Sequence, residues 1–205
     1  MRGAVIAPGI SRGSLLLAAC VAMAAQAQTV TVELDNPWVH VFRVKLGPHE
    51  KSAGRKCAAC VIVYLTDAGE TAYFDAPHAF DQNTSDLPLE EIVVELKAGA
   101  PKSPYPPITL DPAKLDPRYH TVDFENERVR VLRTVLEPDI RSPLHEHPPY
   151  VVVYVTELHT TMALADGKLV DNVRRRGEVA WRDAMKHSTE NIGTRRAMEI
   201  QIEIK

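Results

Sequence analysis

The chain is built from short apolar runs separated by glycine, proline and aspartate. Two runs, VIVYL at 61–65 and VVVYV at 151–155, are apolar on both faces of a strand, and no 3.6-residue period is sustained anywhere. A sheet surface facing water would alternate with polar residues, so something must cover the outer face of each run. The pattern predicts an all-β protein whose apolar strands pack against further protein.

Self-similarity divides the sequence into two copies. Residues 39–67 align without a gap with residues 129–157, and ten positions are identical. A second gapless block has an offset larger by 18, and it matches residues 69–83 and 90–97 with 177–191 and 198–205. The first copy therefore lacks a counterpart of residues 158–176, a segment with the pattern of a β-hairpin that turns at Asp166-Gly167.

The repeat predicts two tandem β-sandwich units, of which the first is abbreviated. The first unit is expected over residues 28–97 and the second over residues 119–205. Residues 98–118 hold six prolines, which cannot donate to a sheet ladder, so an extended connector is expected there. We expect the two units to cover each other's apolar strands pseudo-symmetrically, with a homodimer as the second possibility.

The N-terminus has the pattern of a secretory signal. Arg2 and Arg12 precede an apolar run at 15–25, and the small residues Ala25 and Ala27 frame a cleavage site, which predicts a signal peptide over residues 1–27. The protein is then periplasmic or secreted; an alternative is a lipid anchor at Cys20. The apolar run is too short to span a bilayer comfortably, and no later segment predicts a membrane span.

The charge of the chain argues against nucleic acid as a partner. Removing the predicted signal takes away two arginines and leaves 22 basic against 27 acidic side chains. Neither a basic stripe nor a basic amphipathic helix is present in the sequence. Nucleic acid and a membrane surface are therefore not expected partners.

Three histidines of the second copy have the spacing of metal ligands. His145 and His147 flank Glu146 just before the VVVYV run, and alternate residues of a strand point to the same side. His187 lies ten residues after Gly177 in the pattern G-(x)9-H-(x)3-N, which ends at Asn191.

This histidine pattern, repeated in tandem, resembles the cupin family of small jelly-roll β-barrels. The resemblance covers both copies and implies an all-β bicupin fold, with a divalent metal held by His145, His147 and His187. Imidazole ligands suit zinc, iron, copper or nickel, and the sequence does not distinguish among these metals. Asn191 and Glu190 are candidate partners that orient the ligands, and for Asn191 a hydrogen bond at the end of the strand is the favoured alternative.

The sequence departs from the family pattern at four positions. The usual glutamate ligand is replaced by Val151, and the usual glycine before the first histidine is Asp139. Asp183 and Met185 stand where the second motif has proline and glycine. Three imidazoles without a carboxylate are therefore expected, and no catalytic acid or base can be assigned. Tyr150 and Tyr154 have the wrong strand parity unless Pro148-Pro149 forms a bulge, and His120 among the other histidines is expected to be structural.

The CAAC segment of the first copy lies where the second copy has its histidines. Arg55 aligns with His145, and Cys57 and Cys60 align with His147 and Tyr150, so an equivalent metal site is not expected in the first copy. Cys57 and Cys60 can form a disulfide only if the chain turns between them, and free buried thiols are the alternative.

Two functions remain open at this point. The first is a secreted metal-dependent enzyme, dioxygenase-like or isomerase-like, acting on a small organic molecule. The second is a non-catalytic periplasmic protein that binds a small ligand or a metal, or that pairs with another protein. Fold alone does not decide between these functions.

Overall fold

A computed structural model describes residues 29–52, 54, 56–79, 82–101 and 105–205. The predicted signal peptide, the alternative anchor at Cys20 and the alignment partner Arg55 lie outside the described residues.

Nearly all regular structure in these residues is β-strand, as the sequence predicts. Before the connector the strands are β1 (Thr29–Asp35), β2 (Val39–Leu46), β3 (Lys56–Cys57), β4 (Cys60–Tyr64), β5 (Glu70–Phe74), β6 (His78–Ala79) and β7 (Leu89–Leu96). After it follow β8 (His120–Glu125), β9 (Val129–Leu136), β10 (His145–His147), β11 (Tyr150–Tyr154), β12 (Leu158–Leu164), β13 (Leu169–Arg174), β14 (Val179–Arg182), β15 (Met185–Asn191) and β16 (Ala197–Ile204).

The two units repeat one sheet order. In the first unit a five-stranded antiparallel sheet runs β1-β2-β7-β4-β5, and in the second the corresponding order is β8-β9-β16-β11-β14. The opposite side of the barrel is the β3-β6 pair in the first unit and the sheet β10-β15-β12-β13 in the second. The extra hairpin of the second unit, β12 and β13, turns at Asp166-Gly167 as predicted, and Gly167 has a φ of 84°.

The two five-stranded sheets pack face to face. Their facing side chains form one apolar cluster that includes Val61 and Val63 of β4 with Val151 and Val153 of β11, all four fully buried. Burying one such aliphatic side chain stabilises the fold by roughly 1.5–3 kcal/mol. This is the pairing predicted from strands that are apolar on both faces; the homodimer stays a prediction.

Reciprocal polar contacts frame the apolar interface. Arg43 of β2 donates a hydrogen bond to the carbonyl of Gly177, and Arg133 of β9, its repeat counterpart, donates to the carbonyl of Gly69 at 2.9 Å. Trp38 and Trp181 stack across the interface with ring centroids 5.5 Å apart. An arginine of each unit therefore bonds to the equivalent glycine of the other unit, as a pseudo-two-fold arrangement requires.

The connector is not extended throughout. Pro112–Leu115 form one helical turn, α1, because the side chain of Asp111 accepts a hydrogen bond from the backbone N–H of Ala113 and proline fits the first turn. None of the helices among the described residues is long and apolar enough to cross a membrane.

A glycine at the interface has no room for a side chain. Gly69 has a φ of 79°, and a Cβ there would lie 2.7 Å from Cγ2 of Val155. The same backbone conformation occurs at Gly167, where no heavy atom of the described residues lies within 4 Å of such a Cβ. A side chain at Gly69 would therefore cause both backbone strain and a steric clash, whereas a side chain at Gly167 would cause the backbone strain alone.

We predict that Gly69→Ala destabilises the protein more than Gly167→Ala. The backbone strain common to both variants costs about 1–2 kcal/mol, and overpacking against Val155 adds about 1–3 kcal/mol for Gly69→Ala alone. Urea unfolding of both variants measures the difference. Equal losses of unfolding free energy would show that the units do not meet tightly at Gly69.

Candidate metal centre

Antiparallel pairing of β10 with β15 brings the three predicted ligands together. His145 lies directly opposite His187, and His147 is on the same face two residues along β10. All three side chains are buried, and one ligand atom from each lies within 4.8 Å of the others. Within the described part of the chain this is the cluster of histidine, cysteine and acidic residues that could hold a metal ion.

Hydrogen bonds occupy the Nδ1 side of the three rings. Nδ1 of His145 lies 2.8 Å from the carbonyl of Pro143, and Nδ1 of His147 lies 2.7 Å from Oε1 of Glu203. Nδ1 of His187 lies 3.4 Å from the hydroxyl of Thr189. Nε2 of His147 and of His187 is buried without a hydrogen-bond partner among the described residues. Buried polar atoms rarely stay unpaired, so these two atoms fit a metal ion.

Burial keeps the imidazoles neutral. It lowers the pKa of all three histidines, and burial together with the neighbouring imidazoles brings that of His187 to about 2. A neutral imidazole has a lone pair to offer, and the donor set therefore suits a transition metal at neutral pH.

The strand β16 adds a carboxylate that the sequence reading missed. Glu203 is buried and bonds both to His147 and, at 2.5 Å, to Nε of Arg130. Glu199 and Gln201 share its face, while the isoleucines between them point into the interface between the units. The alternation E-x-Q-x-E at 199–203 was the available signal: one face of this strand is polar because it faces the barrel interior.

A small cavity of about 20 Å³ adjoins the histidines, which is room for about one water molecule. His145, His187, Glu199 and His120 line it. Burial raises the pKa of Glu199 to about 6 and lowers that of His120 to about 4. His120, expected to be a surface or structural histidine and not a ligand, is buried with its ring 5.1 Å from that of His145 and lines the cavity, outside the set of three candidate ligands.

The predicted orienting partners lie elsewhere. The side-chain amide of Asn191 donates to the carbonyls of Leu136 and Arg195, and Glu190 pairs with Arg141. The repeat explains Asn191: its counterpart Asn83 donates to two loop carbonyls in the same way, so this asparagine ties down a strand end. Neighbouring residues of β15 alternate between its two faces, which turns Glu190 away from His187.

The missing glutamate ligand follows from strand register. Val151 belongs to the apolar cluster between the units, whereas Tyr150 and Tyr154 face the barrel interior. β10 ends at His147 and β11 begins at Tyr150, so Pro148 and Pro149 lie between the two strands. They change the face on which the tyrosines lie, as the bulge that the sequence left open would do. The ring of Tyr150 lies 5.1 Å from that of His147.

The equivalent region of the first unit has different chemistry. Cys57 and Cys60 form a disulfide across a bend at Ala58 and Ala59, with their Cα atoms 6.1 Å apart. The disulfide packs among buried apolar side chains of β2 and β4. An apolar filling replaces the histidines of the second unit.

The first unit keeps one buried carboxylate of the repeat but lacks the arginine that the second unit has. Glu91 is the repeat counterpart of Glu199, but Phe74 stands where the second unit has Arg182. Burial raises the pKa of Glu91 to about 7, and its Oε1 has no hydrogen-bond partner among the described residues.

Comparisons with known proteins agree with this architecture. Neither family models nor curated proteins give a match. Among solved structures, a cupin domain from Bordetella pertussis Tohama I is 30% identical, covers 42% of this chain and is itself 91% covered, with a TM-score of 0.40. The chain belongs to the cupin superfamily.

Longer matches extend over both units of this cupin. AerE from Microcystis aeruginosa is 10% identical, with 87% of this chain and 97% of AerE covered and a TM-score of 0.54. Oxalate decarboxylase from Bacillus subtilis is 13% identical, and the match covers 86% of this chain and 72% of the decarboxylase with a TM-score of 0.51. The tandem bicupin arrangement is thus shared, and at these identities the likeness concerns the fold.

We predict that Glu91 makes stability depend on pH. Its pKa is raised in the folded state, so its contribution is fully present below pH 4.5 and is lost as pH rises through about 7. The loss amounts to about 3 kcal/mol. The unfolding free energy of Glu91→Gln relative to the native protein should therefore increase over this range in chemical denaturation. Glu70→Gln, at an exposed position on β5, is the matched control; parallel profiles for native protein and Glu91→Gln would contradict the prediction.

Proposed function

We propose that this cupin binds a divalent transition metal through His145, His147 and His187 and uses it in a reaction on a small polar molecule. The observation that carries the proposal is the pair of buried Nε2 atoms on His147 and His187, for which the described part of the chain offers no hydrogen-bond partner, while Nδ1 of each ring faces one. Three imidazoles leave coordination positions open for water or substrate, as in catalytic centres.

The donor set limits the metal without selecting one. Neutral imidazole suits zinc, iron, copper or nickel, and one structure of similar fold, oxalate decarboxylase, is described by its Mn(II) centres. A bound metal would act as a Lewis acid that polarises a carbonyl or lowers the pKa of a bound water.

Glu199 is the residue best placed to move a proton. It lines the cavity beside His145 and His187, and it accepts a hydrogen bond of 2.7 Å from Gln201. Burial raises the pKa of its carboxyl to about 6, so near neutral pH the group exchanges between acid and base.

The size of the cavity favours a small substrate. A volume of about 20 Å³ is far below the few hundred Å³ of a typical ligand pocket. Oxalate is larger than the one water molecule that this cavity holds, so the cavity would have to widen to admit it. As the substrate named for the similar decarboxylase, it is the first molecule to test.

The same narrow cavity favours the alternative, a non-catalytic metal-binding protein. The site also has Val151 in place of a carboxylate ligand, which leaves less negative charge to hold a divalent ion. In both cases the sequence of residues 1–27 supports a periplasmic or secreted location.

Metal content tests the proposal directly. We expect about one equivalent of transition metal in the purified or reconstituted protein, and none in the double variant His145→Ala/His147→Ala, because one imidazole cannot hold the ion. His159→Ala is the control, since His159 is exposed and pairs with Asp171 away from the site. Less than about 0.1 equivalent after reconstitution of the native protein would refute the proposed site.

Turnover separates the enzyme from the binding protein. The metal-loaded protein should release carbon dioxide from oxalate or from another small carboxylic acid of a panel. Glu199→Gln should lower the rate by about 10²–10⁴-fold while metal content stays unchanged, because proton transfer is removed. Full metal loading without turnover on any acid of the panel would favour the non-catalytic alternative.

A further inference from the structure

A continuous series of hydrogen bonds joins the connector to the metal cluster. Oδ1 of Asp111 accepts a bond of 2.9 Å from Nη1 of Arg130, and Nε of Arg130 donates to Oε2 of Glu203 at 2.5 Å. Oε1 of the same carboxylate lies 2.7 Å from Nδ1 of His147. Arg130, Glu203 and His147 are buried, so water screens the contacts among these three residues only weakly, whereas Asp111 lies at the margin of a surface cavity.

The connector also forms hydrogen bonds with β10, the strand that carries two of the ligands. The carboxylate of Glu146, between His145 and His147, accepts hydrogen bonds from the backbone N–H groups of Thr109 and Leu110. The backbone N–H of Glu146 donates in turn to the carbonyl of Leu110 at 2.9 Å. Residues 109–111 therefore contact β10 directly and the far side of His147 through Arg130.

We propose that the connector is part of the metal centre, with Asp111 acting through Arg130 and Glu203 to position His147. The inference rests on the proposed function only in taking His147 as a ligand. Asp111, Arg130 and Glu203 are positioning residues, since they reach the site through one another.

The charges explain why Asp111 matters. Glu203 holds the proton of His147 on Nδ1, which leaves the lone pair of Nε2 for an ion. Arg130 is shared between two carboxylates, and its Nη2 is already buried without a partner among the described residues. If Asp111 loses its charge, the guanidinium turns to the one carboxylate left and draws Oε1 of Glu203 away from His147.

The first test needs no metal. In the apo-protein, NMR of the histidine side chains should show His147 as the Nδ1–H tautomer with a slowly exchanging proton. Asp111→Asn keeps a good helix cap for α1 but removes the charge, and it should speed exchange of that proton about tenfold. Glu125→Gln is the matched control and should leave exchange unchanged, because Glu125 lines a surface cavity together with Asp111 but pairs with Lys205. Unchanged exchange in Asp111→Asn would overturn the proposal.

A double-variant cycle with Zn²⁺ then tests whether Asp111 acts on His147 through Arg130 and Glu203. Competition with a chelator should show affinity about fivefold lower for Asp111→Asn and about 10–100-fold lower for Glu203→Gln. In the Glu203→Gln background, Asp111→Asn should change the affinity for Zn²⁺ by less than about twofold, because the carboxylate that links Arg130 to His147 is already absent. Additive losses would mean that Asp111 does not act through Glu203. If the native protein bound no Zn²⁺, the proposed function would fail, while the tautomer measurement would still decide the positioning role.

Discussion

The face-to-face packing of the two five-stranded sheets is the interaction on which the rest of the structure depends. Each unit presents a sheet that is apolar on its outer face, and neither sheet could remain exposed to water. The other unit covers it, with Arg43 and Arg133 bonded crosswise to Gly177 and Gly69 at the margins. Each copy of the tandem repeat therefore covers the apolar sheet of the other.

This packing allows the interior of the second barrel to be polar. Along β16 the isoleucines enter the core between the units, and the residues between them face inward as Glu199, Gln201 and Glu203. Because the largest apolar cluster lies between the units, the barrel interior can combine a smaller apolar cluster around Tyr150 and Tyr154 with buried charge held by specific partners such as Arg130. That arrangement keeps three imidazoles neutral and turned toward one point, at the cost of burying several polar groups.

The two units show the same barrel with and without this chemistry. Cys57 and Cys60 form a disulfide where the second unit has His147 and Tyr150, and apolar side chains fill the space around it. Glu91 persists, but Phe74 stands at the position of Arg182, the arginine whose charge acts on Glu199. The interface is common to both copies, whereas the site has diverged, because packing constrains the outer faces and leaves the interior positions free to change.

The sequence by itself determined the fold, the hairpin at Asp166-Gly167 and the three histidines, since strand periodicity, the gapless repeat and the His-x-His spacing are local properties of the chain. Only the tertiary structure decided what surrounds those histidines. Glu203 lies 56 residues from His147 and His120 lies 25 residues from His145 along the chain, so their contacts arise from sheet order and register. Register likewise turned Val151 outward, into the cluster between the units. A shift of one residue reverses the face that a side chain occupies, and long-range pairing sets that shift.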